Sequence, residues 1–167
     1  MAGLKVAGLD LAMGQTGVCH TVEGAACWHL IKPKKVKDLR LPEIKAQVFE
    51  FIADAELVLI EMLPPNMKGA GITGMVQGVI RDELLARGIH YADIGPSALK
   101  KYATGKGGAS KTEMALAAMK RAGHEFTNDN ECDAYWAWVM ANDHLDQPVF
   151  SLPKLNRDQL LNIEMKG

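Results

Sequence analysis

The chain has 167 residues, of which 48% are apolar and 23% charged, and its formal net charge is −1. That length fits one domain that can bury a core without disulfides or structural metals. No stretch approaches the roughly 20 apolar residues of a membrane helix, and the N-terminus lacks a signal-peptide pattern, so the expectation is a cytoplasmic protein with no membrane partner.

The cysteines Cys19, Cys27 and Cys132 are odd in number and lack C-x-x-C spacing. They read as reduced thiols in the core rather than as a disulfide framework or a zinc site. A near-neutral net charge neither requires nor excludes nucleic acid, because a phosphate backbone responds to local clusters of Lys and Arg. Two clusters exist: Lys32, Lys34, Lys35, Lys37 and Arg40, and then Lys100, Lys101, Lys106 and Lys111. The first reads as a solvated loop between a strand and a helix.

In chain order, the apolar run from Leu4 to Asp10, the turn Met13-Gly14-Gln15 and the run Thr16 to Thr21 predict a hairpin. A third strand around Cys27 to Ile31 completes a meander. Pro42 opens a segment with Ile44, Val48, Phe51 and Ile52 at helical spacing. Glu56 to Glu61 is almost purely aliphatic, the pattern of a strand buried on both faces with parallel neighbours. After the glycine-rich stretch Gly69 to Gly74, a helix is predicted from about Met75 to Arg87, then a strand from Ile89 to Ile94.

Gly95-Pro96-Ser97 restarts a short helix to about Tyr102, and Thr104 to Ala109 is a loop rich in glycine and lysine. Ser110 with Glu113 predicts a capping box at the next helix start. The last major helix runs from about Asn130 to Asp143; Trp136 and Trp138 on it read as packing residues rather than stacking platforms for bases. The five histidines show no paired metal-ligand spacing, and His124 reads as a surface residue. The sum is an α/β domain, a mixed five-stranded sheet with helices on both faces, over residues 1–147, followed by a C-terminal extension over 148–167.

Three acidic positions carry the chemistry. Asp10 and Glu61 end predicted strands, and Asn128-Asp129-Asn130-Glu131-Cys132-Asp133 opens the last helix. Carboxylates at strand ends of an open sheet face a crevice, and beside aliphatic strands each must be exposed, paired or bound to a cation. Hard oxygen donors without a His/Cys cluster suit Mg²⁺ or Mn²⁺, and two such ions about 3.5–4 Å apart can activate water and stabilise the leaving oxygen of a phosphodiester.

In order and spacing, Gly8-Leu9-Asp10-Leu11-Ala12 through Thr16-Gly17-Val18, the strand end Leu59-Ile60-Glu61, the segment Thr104 to Lys111 and the closing Asp133-Ala134 resemble RuvC-type Holliday junction resolvases of the RNase H-like superfamily. The resemblance covers roughly Leu4 to Ala141. It implies an RNase H-like fold, metal-dependent hydrolysis of DNA at four-way junctions, two Mg²⁺ or Mn²⁺ ions per site, a homodimer and a bacterial or phage setting. Asp10, Glu61 and Asp133 match the family's metal-binding carboxylates, and Lys106 and Lys111 its basic loop near the scissile phosphate. Lys100 and Lys101 extend the DNA-binding group.

The family's fourth acid falls here on Asn130, an uncharged oxygen donor, with Asp129 and Glu131 beside it; Glu131 is preferred as the acid that takes its place. Leu63-Pro64-Pro65-Asn66-Met67 lacks the aromatic residue that bacterial members carry after Glu61. The dimer is expected through the Met75–Arg87 helix, where Gly78 lies near Met75, Val79 and Ile80. Alternative readings are an RNase H-like nuclease for flaps, forks or RNA–DNA hybrid, or a catalytically weakened structure-specific DNA-binding module. An actin-like ATPase needs two such domains and more phosphate loops than this length provides.

Overall fold

A computed structural model describes residues 3–64 and 66–167; Pro65, in the loop read above as departing from the family pattern, lies outside the described residues. The strands are β1 (Val6–Asp10), β2 (Thr16–Val22), β3 (Ala25–Ile31), β4 (Leu57–Glu61), β5 (His90–Ile94) and β6 (Glu164–Met165). The helices are α1 (Arg40–Ile52), α2 (Ala70–Ala86), α3 (Pro96–Thr104), α4 (Lys111–Ala122), α5 (Asp129–His144) and the single turn α6 (Lys154–Arg157).

The sheet order is β3-β2-β1-β4-β5-β6. β1 pairs with β4, and β4 with β5, in parallel; the other pairs are antiparallel. β4 is central, as its aliphatic run requires: Leu57, Val58, Leu59 and Ile60 are all buried. One core, on the face covered by α3, α4 and α5, gathers Leu59, Ile94, Tyr102 and Trp136. The other, under α1 and α2, gathers Leu9, Val48, Ile60 and Ile80.

Two glycines set how close α5 lies to the sheet. A Cβ on Gly8 would collide with the Ala134 carbonyl and the Trp138 amide, and one on Gly17 with the Asn130 carbonyl. The helix therefore rests directly on the backbones of β1 and β2, and almost every residue from Cys132 to Asp143 is buried. Trp136 and Trp138 pack as expected, with their indole N–H groups donating to the Met114 carbonyl at 3.2 Å and to Thr21 Oγ1 at 3.0 Å. His124 stands edge-on to Trp28, with ring centroids 4.8 Å apart, rather than free on the surface.

Helix α2 starts a turn earlier than the glycine-rich sequence predicts. Thr73, Val76, Gln77, Ile80 and Leu84 form one continuous buried face, and packing of that face outweighs the roughly 1 kcal/mol that each glycine costs relative to alanine. The sheet has six strands rather than five because the tail returns: β6 pairs with β5 through Asp93↔Glu164 and covers what would be an open edge. Residues 148–167 also bury Leu152 and Asn156, and Arg157 reaches the buried Asp143 carboxylate with contacts of 2.8 to 3.2 Å. No helix among the described residues is long and apolar enough to cross a membrane.

Candidate active site

Parallel pairing of β1 with β4, in the register Leu9↔Ile60, brings the last residues of both strands, Asp10 and Glu61, side by side. Close seating of α5 on Gly8 and Gly17 brings Asp133 over them. The three side chains offer oxygens that lie within 4.8 Å of one another, each only partly buried. Around them opens a cleft of about 360 Å³ lined by Leu11, Met62, Thr73, Gln77, Lys100, Lys111 and Asn130, among others.

The carboxylates repel one another in a poorly hydrated place. Burial, then the charge of Asp133, pushes Asp10 up to about 7, against the pull of Lys111. Glu61 is driven well above the usual range by burial and by Asp10 and Asp133. Asp133 rises to about 6 through burial, with Lys111 and Lys100 opposing and Asp129 adding to the rise. Three acids held together at such cost form a donor set that a divalent cation would neutralise. Oxygens sharing one Mg²⁺ at about 2.0–2.1 Å lie at most about 4 Å apart, so the spacing here fits one or two hard divalent ions after small side-chain movements.

The candidates named from sequence separate into groups. Asp10, Glu61, Asp133, Asn130, Lys100 and Lys111 line the cleft. Glu131 does not line it; it lies one residue further round α5, in the first turn whose Asn128 cap accepts from the amides of Asn130 and Glu131. Asp129 is held by Lys111, with Nζ 2.7 Å from Oδ2. Lys106 is turned to Glu113 at 3.0 Å, and Lys101 lines a separate surface hollow with Gly95 and Ser97. The capping box of Ser110 and Glu113 is present as the sequence predicts, and it fixes Lys111 as the first residue of α4.

Two residues were not singled out from the sequence. Gln77 donates to the Glu61 carbonyl at 3.1 Å and so supports the end of β4. Its signal was a lone amide on the apolar face of α2. Gln15, in the β1–β2 turn, accepts from Asn130 Nδ2 through its carbonyl at 3.4 Å, and through Oε1 from Asn128 Nδ2 at 3.1 Å. No pattern in the sequence announces that contact.

The site is thus an open mixed sheet with acids at the ends of two adjacent parallel strands and a third on the helix packed across them. Among solved structures, the chain is similar to Thermus thermophilus RuvC, with a TM-score of 0.70 and 22% identity over 86% of this chain and 98% of that one. It is likewise similar to T. thermophilus RuvC in complex with a Holliday junction substrate, with a TM-score of 0.72 and 20% identity over 98% of this chain and 100% of that one. No family model and no curated protein matches the sequence. The fold is thus the RuvC fold, as the motif order in the sequence implied.

Proposed function

We propose that this protein is a divalent-metal-dependent endonuclease that hydrolyses phosphodiester bonds in branched DNA, with the four-way junction as its preferred substrate. The observation that carries this reading is the convergence of Asp10, Glu61 and Asp133 in one cleft. These residues would hold Mg²⁺ or Mn²⁺, which supplies a water of lowered pKa and charge stabilisation for the leaving oxygen. The substrate class is supported by the fold shared with a RuvC whose structure includes a Holliday junction.

The chain's own groups then have distinct tasks. The three carboxylates would hold the cation and favour a hard ion over a soft one. Lys111 at the N-terminus of α4 and Lys100 on α3 place positive charge in the cleft, where they steer and steady the phosphate. Asn130 is the better fourth ligand than Glu131: it lines the cleft, and its amide nitrogen is engaged by Gln15, which leaves Oδ1 for the cation.

A homodimer would place one site on each of two strands, and α2 offers a surface for it: Ile72 and Met75 are 53% and 40% exposed, and none of the described residues stands where side chains of Gly71, Gly74 and Gly78 would lie. The test of the reading is a panel of labelled four-way junction, fork, flap, duplex and RNA–DNA hybrid, with and without Mg²⁺. The expected result is Mg²⁺-dependent cutting of the junction ahead of all others. Preferred cutting of hybrid or flap would redirect the substrate assignment, and junction binding without cleavage would leave a DNA-binding module.

A further inference from the structure

On the opposite face of the sheet the hairpin β2–β3 carries a second group of potential ligands. His20 and Cys27 are direct cross-strand partners, and His29, two residues beyond Cys27, projects from the same face of the strand. The Nε2 atoms of His20 and His29 are 3.2 Å apart, and Cys27 Sγ lies 3.4 Å from His29 Nε2. One ligand atom from each residue falls within 4.8 Å of the other two, and all three side chains are partly buried, so solvent reaches them. Phe51 of α1 stacks on the His29 ring with centroids 3.9 Å apart and fixes its plane.

Hydrogen bonding alone satisfies this arrangement poorly. A neutral imidazole has one lone pair and one N–H, and His29 Nε2 faces both the His20 nitrogen and the Cys27 sulfur. One lone pair cannot serve two donors well, and one N–H cannot serve two acceptors. A cation placed between the three atoms uses one lone pair from each. With Zn–N near 2.0–2.1 Å and Zn–S near 2.3 Å, the edges of a tetrahedral site are about 3.3 Å for N···N and about 3.5 Å for N···S, and the two short separations here lie close to those values.

We propose that His20, Cys27 and His29 form a binding site for a borderline-soft divalent cation of the Zn²⁺ class, with a fourth position open to water or an external ligand. Two nitrogens and a sulfur select against Mg²⁺ and in favour of Zn²⁺ or Co²⁺. Burial lowers both imidazoles, His20 also through His29 and against the pull of Asp54, so they offer neutral lone pairs. Binding forms two metal–nitrogen bonds and one metal–thiolate bond and sends the Cys27 proton to solvent; no electron is transferred. Asp54, whose charge acts on His20, is paired with Lys5. The site clips the free end of the β2–β3 hairpin and is separate from the acidic cleft, because Asp10 faces α5 whereas His20 faces α1.

Co²⁺ titration of the full-length protein tests this through the thiolate-to-metal charge-transfer absorption. The expected result is one equivalent with that band, retained in Asp10→Asn and lost in Cys27→Ser and in His29→Gln. Cys19 and Cys132 are buried in the core on the face towards α5, away from the three ligands, so they do not supply the band. A second measurement uses the unmutated chain: Zn²⁺ should slow alkylation of Cys27 at least tenfold, read by peptide mapping. Absence of the band in the unmutated protein, its survival in Cys27→Ser, or alkylation of Cys27 at an unchanged rate in saturating Zn²⁺ would each overturn the proposal.

Discussion

The acidic cleft and the imidazole–thiol cluster lie on opposite faces of one sheet and solve different problems. In the cleft, three carboxylates converge at the C-terminal ends of β1 and β4, and their ionised forms repel one another, a repulsion that Lys111 and Lys100 offset in part. In the cluster, neutral donors sit side by side at ordinary contact distances across an antiparallel pair. The first site stores electrostatic cost that a divalent ion relieves; the second stores almost none. The difference teaches that the preferred metal is set by donor chemistry, while the energetic consequence of losing it is set by charge.

The largest effect should come from removing the cleft's charge. Asp10→Asn, Glu61→Gln or Asp133→Asn should each reduce junction cleavage by several orders of magnitude while gel-shift affinity changes only a few-fold, because affinity rests on phosphate contacts elsewhere. Equal losses of binding and cleavage would break the assignment. Next in size is Lys111→Ala, expected to slow cleavage roughly tenfold to hundredfold, with partial rescue at low salt to the extent that it only positions DNA. Lys106→Ala, whose partner Glu113 lies outside the cleft, should do less. A larger effect from Lys106 than from Lys111 would mean that the loop moves over the site.

Asn130→Ala should cost a few-fold in the Mg²⁺ concentration needed for half-maximal rate, and Glu131→Gln less. The reverse ranking would return the fourth-ligand role to Glu131. The smallest effect is on stability. An acid whose folded-state pKa is raised binds its proton more tightly in the folded chain, so its stabilising contribution is complete below the unfolded value near 3.8 and disappears as pH rises to about 7. The metal-free Asp10→Asn variant should therefore melt several degrees above the unmutated chain at pH 8, and the gap should close by pH 4. A gap independent of pH would show that charge is not the cause.

Much of the cleft was legible because its residues sit where local patterns end. Asp10 and Glu61 terminate aliphatic runs, Asp133 lies just inside a helix start, and the Ser110–Glu113 capping box marks where Lys111 must stand. The choice between Asn130 and Glu131 was not legible, since two neighbours on a helix start differ by about 100° in direction and only the seating of α5 on Gly17 decides which one faces the cleft. The return of the tail as β6 was hidden because a two-residue strand carries no periodicity.

The His20, Cys27 and His29 cluster escaped for a related reason. Its members obey no helical or C-x-x-C spacing, and they meet only through the cross-strand register of a hairpin. Cys27 was read with Cys19 and Cys132 as a core residue; those two are buried, whereas Cys27 is partly exposed on the face toward α1.

The most direct test of the central claim is anomalous diffraction from crystals grown with Mn²⁺, recorded at the manganese edge. The account predicts one or two peaks between Asp10, Glu61 and Asp133, bonded to their carboxylate oxygens and absent in Asp133→Asn. Peaks elsewhere, with none in the cleft at saturating Mn²⁺, would contradict it.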